Sequence, residues 1–390
     1  MKKVLVIPAW FDHENEASGI FISEFCEAIN EKEEIDITLL YIQFFSIKNI
    51  FSYYFNKRPI FNYSYKVEHI RILNLKSKLL FFLSHGFILK HYSNKILKKI
   101  KKSGIAFDLI HAQSLCNNVT PYIIDNLSKR FDIPYILTEH YTSFKESNGL
   151  VFDPFLTKQF VCEVAQNAKK RIAVSDFAAI MFEDYFKVNF ETIYNVISKK
   201  FFINGEFCSK NLDFTFLSIA PLTERKGVLE LLKSFKSIHE IHQNIRLVII
   251  GEGPLYSTMN NYILNNNLNS SVTLKKWKNK TELIRELDKS HVLVSASERE
   301  TFGLTIAEAL LRGIPIISTK SGGPQELVNE SNGILIELNQ KVKRLEEALL
   351  KMILNYDNFN SENIKEDALK KFHSGEICNS YVRIYDEIVA

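Results

Sequence analysis

The stretch from Ser297 to Leu310 constrains the fold of this chain more than any other part of its sequence. It follows a short apolar run, Val292–Ser295, and passes through Gly303, after which apolar residues recur at helical spacing as far as Gly313 and Pro315. This order predicts a strand, a loop and a helix. In an open α/β sheet, the loop that follows a strand opens onto the crevice in which ligands bind. The stretch therefore predicts both an α/β fold and a ligand site.

Two glutamates and four backbone amides in this stretch indicate the class of ligand. Glu300 is expected at the crevice, and Glu308 about one turn into the helix. Because the first N–H groups of a helix have no partner within it, four amides would point at a bound anion, namely those of Phe302, Gly303, Leu304 and Thr305. Carboxylates accept hydrogen bonds from hydroxyls, and backbone amides donate hydrogen bonds to phosphates. A nucleotide sugar has both kinds of group, so the pattern predicts a nucleotide sugar as the ligand. An ordinary surface helix with acidic residues near its start would also show two glutamates.

The residues around both glutamates resemble the E-x7-E motif of retaining glycosyltransferases of family 4. The segment Phe302-Gly303-Leu304 lies between the glutamates, and the segment from Glu308 to Pro315 continues the motif. The resemblance covers most of the chain and is closest from Phe214 to Leu335. It implies a GT-B fold of the α/β class, with two Rossmann-like doubly wound domains facing across a cleft.

The chain length and the alternation of strands and helices predict the domain organisation. A chain of 390 residues is too long for one ordinary core. We predict an N-terminal acceptor-binding domain at residues 1–198 and a C-terminal nucleotide-sugar-binding domain at residues 199–372. The resemblance implies that a helix at residues 373–390 crosses back to the first domain. Strands of the N-terminal domain are predicted at Val4–Ile7, Ile37–Tyr41, Leu109–His111, Tyr135–Thr138 and Ile172–Ser175, with a last short strand ending at Tyr194.

Cysteine usage and the lengths of the apolar runs predict a cytoplasmic protein. The five cysteines are odd in number and widely spaced, which fits reduced thiols: Cys26, Cys116, Cys162, Cys208 and Cys378. The apolar run at Val4–Ile7 is short and predicts a first core strand instead of a signal segment. The run from Leu79 to Leu89 is about half as long as a membrane span requires.

Residues 48–102 form a basic and aromatic block, in which thirteen lysines and arginines accompany one acid, Glu68. Such a block attracts an anionic membrane surface, and the apolar residues near Phe81 could enter the interface. A solvated face over a core helix and a nucleic-acid face are the alternatives. Nothing else in the chain resembles a nucleic-acid module, so we expect no nucleic-acid partner. The block favours peripheral contact with the inner face of the plasma membrane.

Two further candidate site residues lie in the N-terminal half. Gly19 precedes a predicted helix in the first loop after a strand, where a glycine lets a phosphate or substrate approach the backbone. A plain turn glycine would look the same. The resemblance implies that His140 contacts the donor sugar, whereas a histidine that ends a strand can also be purely structural. His111 ends another strand and is the weaker candidate.

The C-terminal half adds four candidates. Arg225 and Lys226 lie in the loop after a predicted strand, where cationic side chains can neutralise the leaving diphosphate. The family commonly has an arginine where this chain has Pro221, and we expect Arg225 to substitute for it. The resemblance places Gly251 behind the nucleotide and Trp277 beside the base, on which an aromatic ring can stack.

The resemblance implies a retaining hexosyl- or N-acetylhexosaminyltransferase, and the basic and aromatic block suggests that it acts in the biosynthesis of cell-surface polysaccharides. Its donor is a nucleoside-diphosphate-sugar, and its acceptor is the hydroxyl of a glycan or of a lipid-linked acceptor. In this prediction Glu300, His140 and Lys226 serve catalysis, and Glu308 binds the ribose. The chain has no Asp-x-Asp dyad, so we expect neither a metal nor a cofactor. A catalytically degenerate binding subunit of a partner enzyme, suggested by Pro221, and a sugar-nucleotide epimerase are alternatives.

Overall fold

The computed structural model describes residues 1–11, 19–46, 63–74, 85–116, 120–140, 158–203 and 209–390. These residues form two compact units. Unit 1 comprises residues 1–174, 178–196 and 375–390, and unit 2 comprises residues 175–177 and 197–374. The sequence placed the domain boundaries after residues 198 and 372, within a few positions of the boundaries between these units.

Unit 1 contains, within the described residues, a seven-stranded parallel sheet of order β3-β2-β1-β4-β5-β6-β7. Its strands are β1 (Lys2–Pro8), β2 (Ile35–Ser46), β3 (Lys66–Asn74), β4 (Leu109–Gln113), β5 (Tyr135–Glu139), β6 (Arg171–Ala173) and β7 (Glu191–Thr192). The helices before β7 are α1 (Ile20–Asn30), α2 (His85–Ser103), α3 (Thr120–Phe131), α4 (Lys158–Asn167) and α5 (Asp176–Phe186). The strand order reverses between β1 and β4, and ligands bind at such a switch point in doubly wound sheets.

Strand β3 was not predicted, and it lies within the basic and aromatic block. It pairs in parallel with β2 along its whole length and forms an edge of the sheet. Charged residues are common on edge strands because they discourage pairing with other chains, and here they hid the strand in the sequence. Lys66 pairs with Asp36 at 2.8 Å, and Lys99 of α2 pairs with Glu68 at 3.5 Å. Part of the block is therefore engaged within the fold.

The rest of the block bears on the predicted membrane contact. Residues 48–62 and 75–84, which include the apolar segment around Phe81, lie outside the described residues. On α2 the side chains of Lys98, Lys101 and Lys102 are exposed. Among the helices that the structure describes, none is both long enough and apolar enough to span a bilayer.

The last helix of the chain, α13 (Ser374–Val389), completes the core of unit 1. Its apolar residues recur every three or four positions, which places them on one face. Ile377, Tyr381, Ile384 and Tyr385 of this face are buried in the same cluster as Val4 and Val6 of β1. Burying one such side chain stabilises the fold by about 1.5–3 kcal/mol.

Unit 2 contains a six-stranded parallel sheet of order β10-β9-β8-β11-β12-β13. Its strands are β8 (Phe214–Ile219), β9 (Ile245–Ile250), β10 (Val272–Lys275), β11 (Val292–Ser295), β12 (Ile316–Thr319) and β13 (Gly333–Ile336). Its helices are α6 (Val228–His239), α7 (Tyr256–Asn265), α8 (Lys280–Lys289), α9 (Leu304–Leu311), α10 (Pro324–Leu327), α11 (Lys341–Leu354) and α12 (Ser361–Lys371). Here the strand order reverses between β8 and β11, which makes the ends of these strands the expected ligand site.

Candidate functional site

A pocket opens in unit 2 where the carboxyl ends of β8 and β11 meet. It is lined by residues 218–221, Lys226, Trp277, residues 294–297, Glu300 and residues 303–305. The pocket therefore lies at the switch point of the sheet. It brings together six of the predicted site residues, namely Lys226, Trp277, Glu300, Gly303, Leu304 and Thr305.

The start of α9 supplies the anion-binding part of the pocket. Gly303 precedes the helix with φ 96°, a left-handed conformation that glycine adopts without steric cost. Its carbonyl accepts the N–H groups of Ile306 at 3.0 Å and Ala307 at 3.1 Å. The N–H groups of Leu304 and Thr305 have no backbone acceptor in the part of the chain that the structure describes. Both residues line the pocket, so their amides are placed to bind an oxyanion.

Glu300 is fixed through both its side chain and its backbone. Its Oε1 accepts a hydrogen bond from Lys226 Nζ at 2.5 Å and another from Ser297 Oγ at 2.8 Å. Its N–H donates to the Ser321 carbonyl at 2.9 Å, and its carbonyl accepts the N–H of Gly323 at 3.0 Å. The glycine loop after β12 thus holds the backbone, while two donors orient the carboxylate.

Ser297 was not predicted as a site residue. It is 2% exposed, lines the pocket and lies three positions before Glu300. The Thr319 hydroxyl donates to the Ser297 carbonyl and so ties this loop to the end of β12. The only sign of this role in the sequence was that a residue with a hydroxyl group lies three positions before Glu300.

Glu308 lies about one turn into α9, and its carboxylate is nearly buried. Its side chain is 3% exposed, does not line the pocket, and accepts a hydrogen bond from Lys280 Nζ at 2.6 Å. Lys280 Nζ also lies 5.0 Å from the centroid of the Phe201 ring. The sequence did not indicate Lys280 as a partner. The α8 helix that carries it begins with a capping box of Asn279 and Glu282.

Three other predicted residues lie beside the pocket without lining it. Phe302 is 2% exposed, and its ring contacts Phe372 edge-on. Arg225 is exposed, whereas Pro221 lines the pocket. A Cβ atom on Gly251 would lie 1.9 Å from the Ala220 carbonyl oxygen, so this glycine lets the loop after β9 pack against the loop after β8.

The predicted residues of unit 1 lie near the carboxyl edge of its own sheet. Gly19 directly precedes α1 with φ 72°, and His140 directly follows β5. The centroid of the His140 ring lies 4.5 Å from that of Phe21 and 6.3 Å from that of Trp10. Its Nε2 lies 2.8 Å from Gln113 Oε1. Burial lowers the pKa of His140 to about 3, so the ring is neutral at physiological pH.

The chain is similar to known glycosyltransferases in sequence. Residues 204–371 match the family described as glycosyl transferases group 1. An uncharacterized glycosyltransferase of Methanocaldococcus jannaschii is 31% identical over 268 residues, which cover 67% of this chain and 71% of the relative. The N-acetyl-alpha-D-glucosaminyl L-malate synthase of Bacillus anthracis is 26% identical over 211 residues, and the match covers 51% of this chain and 54% of that enzyme.

Solved structures similar to this chain match its whole length. The sucrose-phosphate synthase of Thermosynechococcus elongatus has a TM-score of 0.76 at 16% identity, with coverage of 100% of this chain and 99% of that one. Anabaena HepE in complex with UDP and glucose has a TM-score of 0.72 at 15% identity, with coverage of 99% and 100%. These likenesses confirm the predicted GT-B fold. The relative from Methanocaldococcus jannaschii, together with the family match, shows that the protein belongs to the group 1 glycosyltransferases.

Proposed function

We propose that this glycosyltransferase moves a sugar from a nucleoside diphosphate to an acceptor hydroxyl, with retention of configuration and without a metal. The observation that carries the proposal is the Lys226–Glu300 ion pair beside the amides of Leu304 and Thr305 in one pocket. Cations and amides suit a diphosphate, and a carboxylate suits sugar hydroxyls. A nucleotide sugar has both groups joined together.

Each part of the donor has a partner in the pocket. The amides of Leu304 and Thr305 bind diphosphate oxygens, and Lys226 neutralises the charge that collects there as the glycosidic bond breaks. Glu300 accepts hydrogen bonds from hydroxyls of the transferred sugar. Trp277, at the pocket wall, stacks on the base, which contributes about 1–3 kcal/mol for a base on an aromatic ring.

Glu308 is proposed to accept hydrogen bonds from the ribose hydroxyls. Lys280 donates to its Oε1, so the other carboxylate oxygen, Oε2, would accept from the ribose. Because this carboxylate is almost fully buried, its position is set before the donor arrives. A fixed acceptor loses little conformational entropy on binding.

The way in which Glu300 is held supports the part that we propose for it in a retaining transfer. It is the acidic residue among those that line the pocket, and two hydrogen bonds tie one of its oxygens. We propose that it binds hydroxyls and does not attack the anomeric carbon. The acceptor then enters on the face from which the diphosphate departs, and a phosphate oxygen takes the acceptor proton. Lys226 and the helix amides stabilise the departing charge in place of a metal.

For the acceptor we propose a glycan or lipid-linked hydroxyl at the inner face of the plasma membrane, in cell-surface polysaccharide biosynthesis. The exposed lysines of α2, Lys98, Lys101 and Lys102, support contact with anionic lipid. Each basic residue near such a surface contributes about 1 kcal/mol. His140 in unit 1 is proposed to contact the transferred sugar.

The proposal is tested by incubating the purified protein with a panel of nucleoside-diphosphate-sugars. Release of the nucleoside diphosphate and a thermal shift are measured for each. A donor at about a hundred times its Kd stabilises the folded state by about 2.7 kcal/mol. If no nucleotide sugar gives either signal, the proposal is wrong.

A catalytically degenerate binding subunit is the second candidate, because Pro221 at the pocket wall offers no charge to the diphosphate. Such a protein would show the thermal shift with a donor but no release of the nucleoside diphosphate with any acceptor. In a Lys226→Met variant the thermal shift should weaken in both cases. Only an active transferase would also lose release of the nucleoside diphosphate.

A further inference from the structure

Lys226 and Glu300 neutralise each other in the pocket of unit 2. Of the described residues that line this pocket, Lys226 carries the only positive charge and Glu300 the only negative charge. Their side chains are 16% and 21% exposed, and Lys226 Nζ lies 2.5 Å from Glu300 Oε1. Within the described part of the chain, Glu300 is the only residue that accepts a hydrogen bond from Lys226 Nζ. Because both charges are largely withdrawn from water, each is stabilised by the other.

The loops that carry this pair are tied together through their backbones, so only the side chains can separate. The N–H of Glu298 donates to the carbonyl of Arg225, the residue before Lys226, at 2.9 Å. The Ser297 hydroxyl donates to Glu300 Oε1 at 2.8 Å, and this hydrogen bond does not depend on the lysine. Lys226 has a flexible stem and three donors on Nζ. The lysine, and not the carboxylate, is therefore the group that can turn towards a bound anion.

A nucleoside diphosphate without a sugar would open the pair and leave the carboxylate uncompensated. Its phosphates suit the amides of Leu304 and Thr305 and the ammonium group of Lys226, which line the same pocket. Glu300 would then lose its cation while an anion lies close by. A terminal phosphate ionises for a second time at a pH of about 6, whereas a phosphate that carries a sugar does not. The carboxylate and the terminal phosphate therefore repel each other.

A nucleotide sugar would open the same pair and compensate both of its charges. The diphosphate accepts hydrogen bonds from Lys226, and the sugar hydroxyls donate to Glu300 in place of the lysine. The sugar is neutral and lies between the carboxylate and the phosphates, which reduces their repulsion. The two ligands therefore differ in more than the direct contacts of the sugar.

We propose that the Lys226–Glu300 pair makes the pocket discriminate between the intact donor and the spent nucleoside diphosphate, because only the donor compensates both charges when the pair opens. This inference rests on the proposed function, which supplies both ligands. Once the sugar has been transferred, nothing covers the carboxylate, and the return of Lys226 to Glu300 favours departure of the nucleoside diphosphate. The same ion pair thereby admits the donor and promotes release of the product.

The inference is tested by calorimetric titration of the protein, without acceptor, with ligands matched in their base. The pairs are UDP with UDP-glucose, UDP with UDP-N-acetylglucosamine, ADP with ADP-glucose and GDP with GDP-mannose. The quantity compared is the Kd of the nucleoside diphosphate divided by the Kd of the nucleotide sugar. In Glu300→Gln the repulsion is lost and Lys226 is released, so the nucleoside diphosphate should bind about tenfold more tightly than it binds the unaltered protein. The nucleotide sugar should gain less, because it loses charge-assisted hydrogen bonds to the carboxylate, and the ratio should fall.

Glu298→Gln is the matched control for the loss of one negative charge. Glu298 lies in the same loop, its side chain is 57% exposed and pairs with Lys341 at 3.1 Å, and it does not line the pocket. The ratio should therefore stay as it is in the unaltered protein. If the ratio falls equally in both variants, the net charge of the protein is the cause and the inference is wrong.

Lys226→Met tests the pair from its other side and decides the question if Glu300→Gln does not fold. Both ligands should bind more weakly than they bind the unaltered protein. The nucleoside diphosphate should be weakened by the larger factor, because Glu300 then faces its phosphate with no cation beside it, so the ratio should rise. An unchanged ratio in either variant overturns the inference, and the proposed function stands if the unaltered protein transfers sugar.

Failure of the proposed function is a separate result. If none of the nucleotide sugars binds or is transferred, the proposed function is wrong. Inorganic pyrophosphate then tests the ion pair by itself, because it needs only the amides and the lysine. It should bind about tenfold more tightly to Glu300→Gln than to the unaltered protein. Equal or undetectable binding to the two proteins would overturn the inference as well.

Discussion

Lys226 Nζ lies 2.5 Å from Glu300 Oε1, although the two residues are 74 positions apart in the chain. Lys226 comes from the loop after β8 and Glu300 from the loop after β11. The reversal of strand order places these loops side by side. A bound nucleotide sugar would replace this contact with two others, from the lysine to the diphosphate and from the carboxylate to the sugar.

Replacing Lys226 by Met should lower kcat/KM for the donor by about 10²–10³-fold, the usual effect of losing one preorganised group that stabilises transition-state charge. Release of the nucleoside diphosphate is the measurement. Lys233→Met is the control, because Lys233 is exposed on α6 and does not line the pocket. A loss of less than about tenfold would show that Lys226 does not act on the leaving group.

Replacing Ser297 by Ala should lower kcat/KM by roughly three- to tenfold, because one of the two hydrogen bonds that orient Glu300 is lost. Lys226 would still hold the same oxygen, so the loss should be smaller than in Lys226→Met. An effect on thermal stability alone, with unchanged kinetics, would contradict a role in orienting Glu300. Ser331→Ala, at an exposed turn, is the control.

The parts of the site that were predictable depend on local sequence. The run Val292–Ser295 was predicted as a strand, and the observed β11 has the same bounds. Gly303 signalled the end of the loop, and α9 begins at the next residue. The capping box of Asn279 and Glu282 was equally readable, because its two hydrogen bonds join residues three apart.

The parts that were missed depend on tertiary contacts. Lys280 pairs with Glu308, 28 positions away, and no local pattern signals such a partner. Gln113 looks like an ordinary strand residue until β5 brings His140 beside it. Strand β3 was missed because its charged residues disguise an edge position. Sequence periodicity reports on which side of an element is buried, and it does not report which partner meets that side.

Replacing Lys280 by Met should reduce the free energy of unfolding by about 3–5 kcal/mol, because it leaves the buried carboxylate of Glu308 without its partner. The double variant Lys280→Met/Glu308→Met should recover much of that loss. Urea denaturation of both variants is the measurement. If the single and double variants lose the same stability, the pair is not coupled.

Treatment with EDTA should leave the transfer rate unchanged, because in the proposed mechanism Lys226 and the amides at the start of α9 act on the diphosphate. The rate is measured with the best donor of the panel before and after extensive dialysis against chelator. A rate that falls and is then restored by added Mg²⁺ or Mn²⁺ would show that the diphosphate needs a metal.

Stability should fall as the pH is lowered from about 6.5, the unperturbed pKa of histidine, towards 3. Burial lowers the pKa of His140 and of His111 to about 3 in the folded state. Between these values the unfolded chain binds protons that the folded chain does not, so lower pH favours unfolding. Each histidine can contribute a slope of up to about 1.4 kcal/mol per pH unit, and its stabilising effect is complete only above the unfolded pKa. Unfolding free energies from urea titrations at pH 7.5, 6 and 5 test this. In His140→Gln the slope should be shallower than in the unaltered protein, since one of the groups with a lowered pKa no longer titrates. Equal slopes would mean that the pKa of His140 is the same in the folded and the unfolded state.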